Sequence, residues 1–310
     1  MPVTPDPVLP EGLTTRPLQH SDATAVFELM AAQEQADLGT VEIEEADIIA
    51  DWARPSHDLA ARSTGVFHGD DLVGYAELMG ADRADAAVRP DWRGRGIGTW
   101  LAAWLRDLGR RIGSTQVGMP VPLGSPGDRL MEALGYRVRW HSWVLQLPAG
   151  ASVPARDLPD GFSVRQARPE EWPAAHAVLE DAFLEWSVRQ REPFEDFTAS
   201  VLHRPGFEPW LIRVAIEPTG AVAGVAVLQL AGDVTYVSRL AVRADLRGRG
   251  LAQALLVDAF AVGRGHGGVV AELSTDSRTG ALGLYEKVGM VVTSTWVNRA
   301  ADLTGGPDAS

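Results

Sequence analysis

Leu240-Ala241-Val242-Arg243-Ala244-Asp245-Leu246-Arg247-Gly248-Arg249-Gly250-Leu251-Ala252 reads as a short apolar strand, a turn rich in arginine and glycine, and the start of a helix. Glycines at 248 and 250 let the backbone bend so that successive N–H groups converge. The helix that follows adds its unpaired N-terminal N–H groups and the positive end of its dipole. Arg247 and Arg249 place fixed positive charge beside them. The stretch is expected to hold phosphate groups.

The pattern occurs twice. Val88 ends an earlier apolar segment, and Arg93-Gly94-Arg95-Gly96-Ile97-Gly98 follows it before a second amphipathic helix. Neither copy suits the common nucleotide loops. A dinucleotide fingerprint needs glycine at its sixth place, where these copies have Thr99 and Gln253, and Gly-Lys-Ser/Thr is found nowhere.

Repetition extends well beyond the loops. Gly12 to Arg16 and Gly161 to Arg165 share a Gly-x-x-x-Arg frame at an offset of 149 residues. The loops stand 154 apart, and so do Gly135 and Gly289, so that loop and closing strand align without a gap. Pro148 to Asp160 is proline-rich and aperiodic, the composition of a linker. The expected domains are therefore 1–147 and 161–303, with a linker at 148–160 and a tail at 304–310. Each half should begin with a strand and a helix. A hairpin follows at 63–68 and 72–79, and again at 210–216 and 221–230. A strand, the loop, an amphipathic helix, a strand, a short helix and a final strand complete the half. Ile97, Trp100, Leu101, Trp104, Leu105 and Leu108 fall at helical spacing and mark a core face.

Arg-x-x-Gly-x-Gly/Ala between a strand and a helix resembles the acyl-coenzyme A pyrophosphate loop of the GNAT family of N-acetyltransferases. Leu284-Tyr285-Glu286-Lys287-Val288-Gly289-Met290 is similar to that family's Leu-Tyr-Glu-Lys-x-Gly-Phe element. The resemblance covers most of both halves. It implies an α/β (α+β) protein of two tandem GNAT domains, each a mixed, mostly antiparallel sheet flanked by helices. It implies acetyl-CoA as donor, with backbone groups of Leu240, Ala241 and Val242 holding the acyl and pantetheine parts. Residues 247–252 would hold the pyrophosphate, and Tyr285 would act as the general acid near the sulfur. Such a transfer is direct attack of an amine on a thioester and needs no covalent enzyme intermediate.

In the gap-free alignment Met131 stands where Tyr285 stands, and methionine cannot donate a proton. The second half is therefore expected to be catalytic and the first to keep a phosphate loop without the acid. Two departures from the family pattern are Arg278, where asparagine is frequent, and Met290, where phenylalanine is usual. The base is open between Glu185, Glu192, Glu195 and a water chain. Trp186 and Trp210 are expected to border the acceptor groove.

Composition narrows the partners. The 310 residues carry a formal net charge of −13, which disfavours a general nucleic-acid binder. Together with Glu180, Asp181, Glu185, Glu192, Glu195 and Asp196, that charge suggests a small-molecule or peptide amine that is cationic. With no cysteine and seven scattered histidines, no metal site is expected. Met1 to Asp6 lacks a basic segment, and no run of about 18 apolar residues marks a membrane span, so the cytoplasm is the expected location. Nothing in the sequence specifies an oligomeric state. The rival function is a protein that binds or senses acyl-CoA without turnover, for which Tyr285 would have no use.

Overall fold

The computed structural model describes residues 8–304; the start of the chain and the tail beyond Thr304 lie outside the described residues. The first half runs β1 (Thr14–Arg16), α1 (Ala23–Leu38), α2 (Glu45–Trp52), α3 (Leu59–Arg62), β2 (Ser63–His68), β3 (Asp71–Met79), β4 (Arg83–Val88), α4 (Ile97–Arg111), β5 (Gln116–Pro122), α5 (Pro126–Ala133) and β6 (Arg137–Leu147). The second runs β7 (Ser163–Gln166), α6 (Trp172–Phe183), α7 (Phe194–Phe197), β8 (Ile212–Ile216), β9 (Val222–Ala231), β10 (Val234–Val242), α8 (Leu251–Gly265), β11 (Val270–Asp276), α9 (Leu282–Lys287) and β12 (Val291–Asp302).

Alternation in the strands builds a core on each face of the sheet. In the second half Ile212 and Val214 of β8 and Val225 of β9 meet Leu179 of α6 and Phe197 of α7. On the other face, Ala223 and Leu228 meet Leu251, Leu255, Leu256 and Phe260 of α8. The first half repeats this plan. Val26, Leu29 and Trp52 pack with Tyr75 on one side, and Ile97, Leu101, Leu105 and Leu108 pack with Val73 and Leu78 on the other. Side chains of this size contribute roughly 1.5–3 kcal/mol each when fully buried, so the four α4 residues alone account for much of that helix's docking. The helical stripe read from the sequence is this face.

Domain limits differ from the expected ones. One compact unit holds the residues up to His141 together with those from Trp296 onward, and the other is Ser142–Thr295. The boundary, expected after Leu147, falls instead between His141 and Ser142, inside β6, and β12 is divided in the same way. In the first unit the strand order is β1-β2-β3-β4-β5 and then 296–302 of β12, antiparallel to β5 from Trp296 opposite Pro122 to Asp302 opposite Gln116. In the second it is β7-β8-β9-β10-β11 and then 142–147 of β6, antiparallel to β11 from Ala271 opposite Leu147 to Asp276 opposite Ser142. A strand's alternation specifies which side chains face inward and is silent on which edge it will join.

The segment 148–160 forms no helix or strand, as a linker would, but it is not detached. Val153 is 6% exposed in the core that contains Leu251, and Gln253 Nε2 donates to the Pro154 carbonyl at 2.7 Å.

Candidate active site

The two glycine loops share one backbone. A 3₁₀ turn, Pro90–Trp92 or Ala244–Leu246, leads to Arg93 at φ −67°, ψ 158° and to Arg247 at φ −65°, ψ 160°. Gly94 and Gly248 follow at φ 76° and 77°, and Gly96 and Gly250 at φ 88° and 86°. A side chain would strain these left-handed positions, which is why the loop needs glycine there. Gly96 and Gly250 each cap a helix of 15 residues, and Trp100 N–H and Ala254 N–H make the first intrahelical bonds to them at 3.0 Å. The N–H groups before those bonds have no intrahelical acceptor, so each loop presents a cluster of donors on a positive dipole end.

The leading arginine of each loop is already engaged. Arg247 forms a two-pronged pair with Glu185, just past the end of α6, at 2.6 and 2.8 Å, and its Nε donates to the Val242 carbonyl at 3.1 Å. Arg93 pairs in the same way with Asp37 of α1 at 2.7 and 2.9 Å. These arginines tie the loop to the helix of the opposite sheet face, and Glu185, held ionised by Arg247, is thereby removed as a base. Arg95 lies over the Trp92 ring, 4.3 Å from its centroid.

Strand β10 parts from β11 beside the second loop. They pair in parallel from Val234 with Val270 to Val237 with Leu273, and no further. At that point the register of β10 against β9 shifts, with Ser238 as the extra residue, its Oγ donating to the Val227 carbonyl at 3.1 Å. A bulge of this kind re-aims the strand at a cleft. Arg243 N–H donates to the Ala223 carbonyl on β9, so by alternation the backbone groups of Leu240 and Val242 turn toward the gap. In the first half, β4 meets β5 only at Arg83 opposite Gly118 and runs against β3 without a shift. The N–H that would face the gap, that of Val88, is taken by Gln33 Oε1 at 3.2 Å. Aligning the starts of α1 and α6, Ala23 with Trp172, puts Ala182 at the place of Gln33, and alanine offers no such acceptor.

Tyr285 sits on α9, 8% exposed, in the core with Leu273 and Leu251. Burial pushes its phenol up to about 12, with a smaller push from the neighbouring Tyr236. It therefore carries its proton throughout the neutral range. Met131, 7% exposed on α5, fills the matching place in the first half. Tyr236, which no motif marks, has its hydroxyl 2.7 Å from Ser274 Oγ of β11, where the two strands are still paired or just parting.

The acids expected to draw in a cationic acceptor are mostly matched by arginines. Glu180, fully buried, binds Arg189 at 2.6 and 2.8 Å; Asp181 pairs with Arg191; Glu192 binds Arg239 of β10 at 2.7 Å. Asp196 is buried, and Glu195 lies exposed on α7. These ion pairs weaken the local attraction of those acids for an approaching ammonium and leave the net charge of −13 as it is. Ligand atoms of His176, Glu180 and Glu192 lie within 4.8 Å of one another. Both carboxylates already hold guanidinium groups, and the His176 ring is packed against Phe194 and Phe197. A cation there would have to displace two arginines.

The two tryptophans part company. Trp186 stands edge-on to Phe183 and carries Arg278 over its ring at 4.7 Å, next to the start of α9. Trp210 instead stacks on His266 at 3.9 Å, at the C-terminal end of α8, about 20 Å along the helix from the loop. It borders no groove at the cleft. Met290 is 2% exposed and packs in the same core as Tyr285, so the departure from phenylalanine is a core exchange.

The sequence model of the acetyltransferase (GNAT) family matches residues 24–122 and again 170–290. A mycothiol acetyltransferase from Salinispora arenicola is 30% identical over 79% of this chain and 81% of its own length. Among solved structures, a GCN5-related N-acetyltransferase from Sphaerobacter thermophilus superimposes with a TM-score of 0.74 at 28% identity, covering 96% of this chain and 98% of that one. A tandem GNAT protein from the clavulanic acid biosynthesis pathway gives 0.70 at 20% identity, over 95% and 99% of the two chains, and speaks to the fold alone.

Proposed function

The chain belongs to the GNAT family of acetyltransferases, and from that premise we propose that its second half moves an acetyl group from acetyl-CoA to a primary amine of a small molecule or peptide. The observation that carries this reading is the pairing of a bulged, gaping β10 with a buried, protonated Tyr285 at the same cleft. In the first half β4 also parts from β5, but it has neither the bulge nor the tyrosine. The amine nitrogen attacks the thioester carbon, the C–S bond breaks, Tyr285 Oη gives its proton to the departing sulfur, and the ammonium proton passes to water. Backbone groups of Leu240 and Val242 would hold the acyl and pantetheine parts, and the loop from Arg247 to Ala252 the pyrophosphate. The mycothiol acetyltransferase relative favours a small-molecule acceptor.

The test is a free-thiol release assay over a panel of primary amines, followed by Tyr285→Phe with the best of them. The ring and its packing remain, so turnover should fall about 10²–10⁴-fold with coenzyme A affinity nearly unchanged. If Tyr285→Phe turns over within about twofold of the parent under chemistry-limited conditions, another group protonates the sulfur. If no amine releases thiol although coenzyme A binds, the sensing alternative is the right one.

A further inference from the structure

The loop at 247–252 faces a charge shortage. The pyrophosphate and 3′-phosphate of coenzyme A are anionic, yet Arg247 is spent on Glu185 and the Val242 carbonyl. Arg249, exposed at the turn, is the one further cation that the loop itself supplies.

A second cation arrives from outside the motif. The segment between the halves is fastened beside the loop by Val153 in the core and by the 2.7 Å bond from Gln253 to the Pro154 carbonyl. Two residues later, Arg156 lies directly against Gly250. A Cβ on that glycine would be 2.8 Å from Arg156 Cδ and 3.0 Å from its Nε. Among the described residues no carboxylate forms an ion pair with Arg156, and its side chain is exposed. A flexible cation resting over the glycine that caps the anion-binding helix, fixed by its own backbone yet free of an acid, is placed to meet a phosphate.

The first loop is an internal control. Among the described residues, nothing lies within 4 Å of the corresponding Cβ above Gly96, although the two backbones match. In the repeat register of 149 residues, the residue corresponding to Arg156 is Pro7, which has no charge.

We infer that Arg156 is a phosphate-binding residue for coenzyme A in the second half, so that the segment joining the halves forms part of the donor site. This rests on the proposed donor site at 247–252 and adds a contact that the loop motif does not encode.

Calorimetry in a Gly96→Val background, which silences the first loop, would use coenzyme A, 3′-dephospho-coenzyme A and pantetheine as probes. Arg156→Ala should weaken coenzyme A binding about 5–30-fold and Arg156→Glu more, with melting temperature unchanged and pantetheine unaffected. An equal loss with the dephosphorylated probe assigns the contact to the pyrophosphate; a loss with coenzyme A alone assigns it to the 3′-phosphate. Gln253→Ala, which frees the anchor, should show a smaller loss in the same direction. Coenzyme A affinity within about twofold of the parent in both Arg156 variants would overturn the inference, as would tighter binding in Arg156→Ala, which would make the side chain an obstacle. Absence of coenzyme A binding in the Gly96→Val parent would instead overturn the donor-site reading beneath it.

Discussion

The loop at 93–98 and the loop at 247–252 differ in backbone angles by only a few degrees, yet their surroundings differ in every feature that a reaction would use. One faces a capped amide at Val88, a methionine at 131 and, among the described residues, no side chain over Gly96. The other faces a bulged strand, a buried tyrosine and Arg156. A phosphate loop is thus a handle, and what the handle serves is decided by side chains 30 to 40 residues farther along or in the segment before the domain.

The largest test of this contrast exchanges the damage between the loops. Valine at Gly250 meets a left-handed φ and the Arg156 side chain, so Gly250→Val should cost at least about 10²-fold in turnover at fixed acetyl-CoA. Gly96→Val, strained in the same way, should keep turnover within about twofold. Equal losses in two well-folded variants would mean that the halves do not work independently.

A smaller effect is expected from uncapping the first cleft. Gln33→Ala returns the Val88 N–H to the gap, and one freed hydrogen bond should strengthen coenzyme A binding there about 3–10-fold. Calorimetry in a Gly250→Val background reads this directly; unchanged affinity would make Gln33 a bystander to binding.

The smallest concerns the strand that enters each loop. Asp85 of β4 stands opposite Glu77 of β3, whereas the aligned position of β10 is Arg239, paired with Glu192. Burial lifts the Asp85 carboxyl to about 6, against the pull of Arg83. A folded value above the unfolded one means stability that is complete below about pH 4 and is lost as pH rises through about 6. Asp85→Asn should therefore raise the melting temperature by a few degrees at pH 7.5 and have little effect at pH 4. An equal shift at both would point to packing rather than charge.

Much of this was legible in the sequence because it is local. Glycine spacing, the Gly-x-x-x-Arg frames and the apolar stripe from Ile97 to Leu108 are set by the bonding of neighbours, and the elements lie close to where those signals put them. Tyr285 against Met131 needed only the offset of 154. What escaped is long-range. Glu192 pairs with Arg239 across 47 residues and Gln33 with Val88 N–H across 55, so most of the acids that looked like a solvated, attractive face have an arginine of their own. Arg156 escaped for a different reason: a proline-rich aperiodic stretch reads as a tether, and docking leaves no periodicity to find. Trp210 was misplaced because an aromatic near a strand start carries no sign of which end of the neighbouring helix it will meet.

The exchange of closing strands bears on how this protein is made. Gln116 is synthesised well before its partner Asp302, so the edge of β5 must wait until the whole second half has been made for its cover. The second half has no such delay, since 142–147 already exist when β11 appears. The half made first is thus the half that finishes last, and an exposed β5 edge is the natural substrate for chaperones and for aggregation in nascent chains. A cut in the 148–160 segment would not yield two independent proteins either, because each piece would carry away a strand that the other requires.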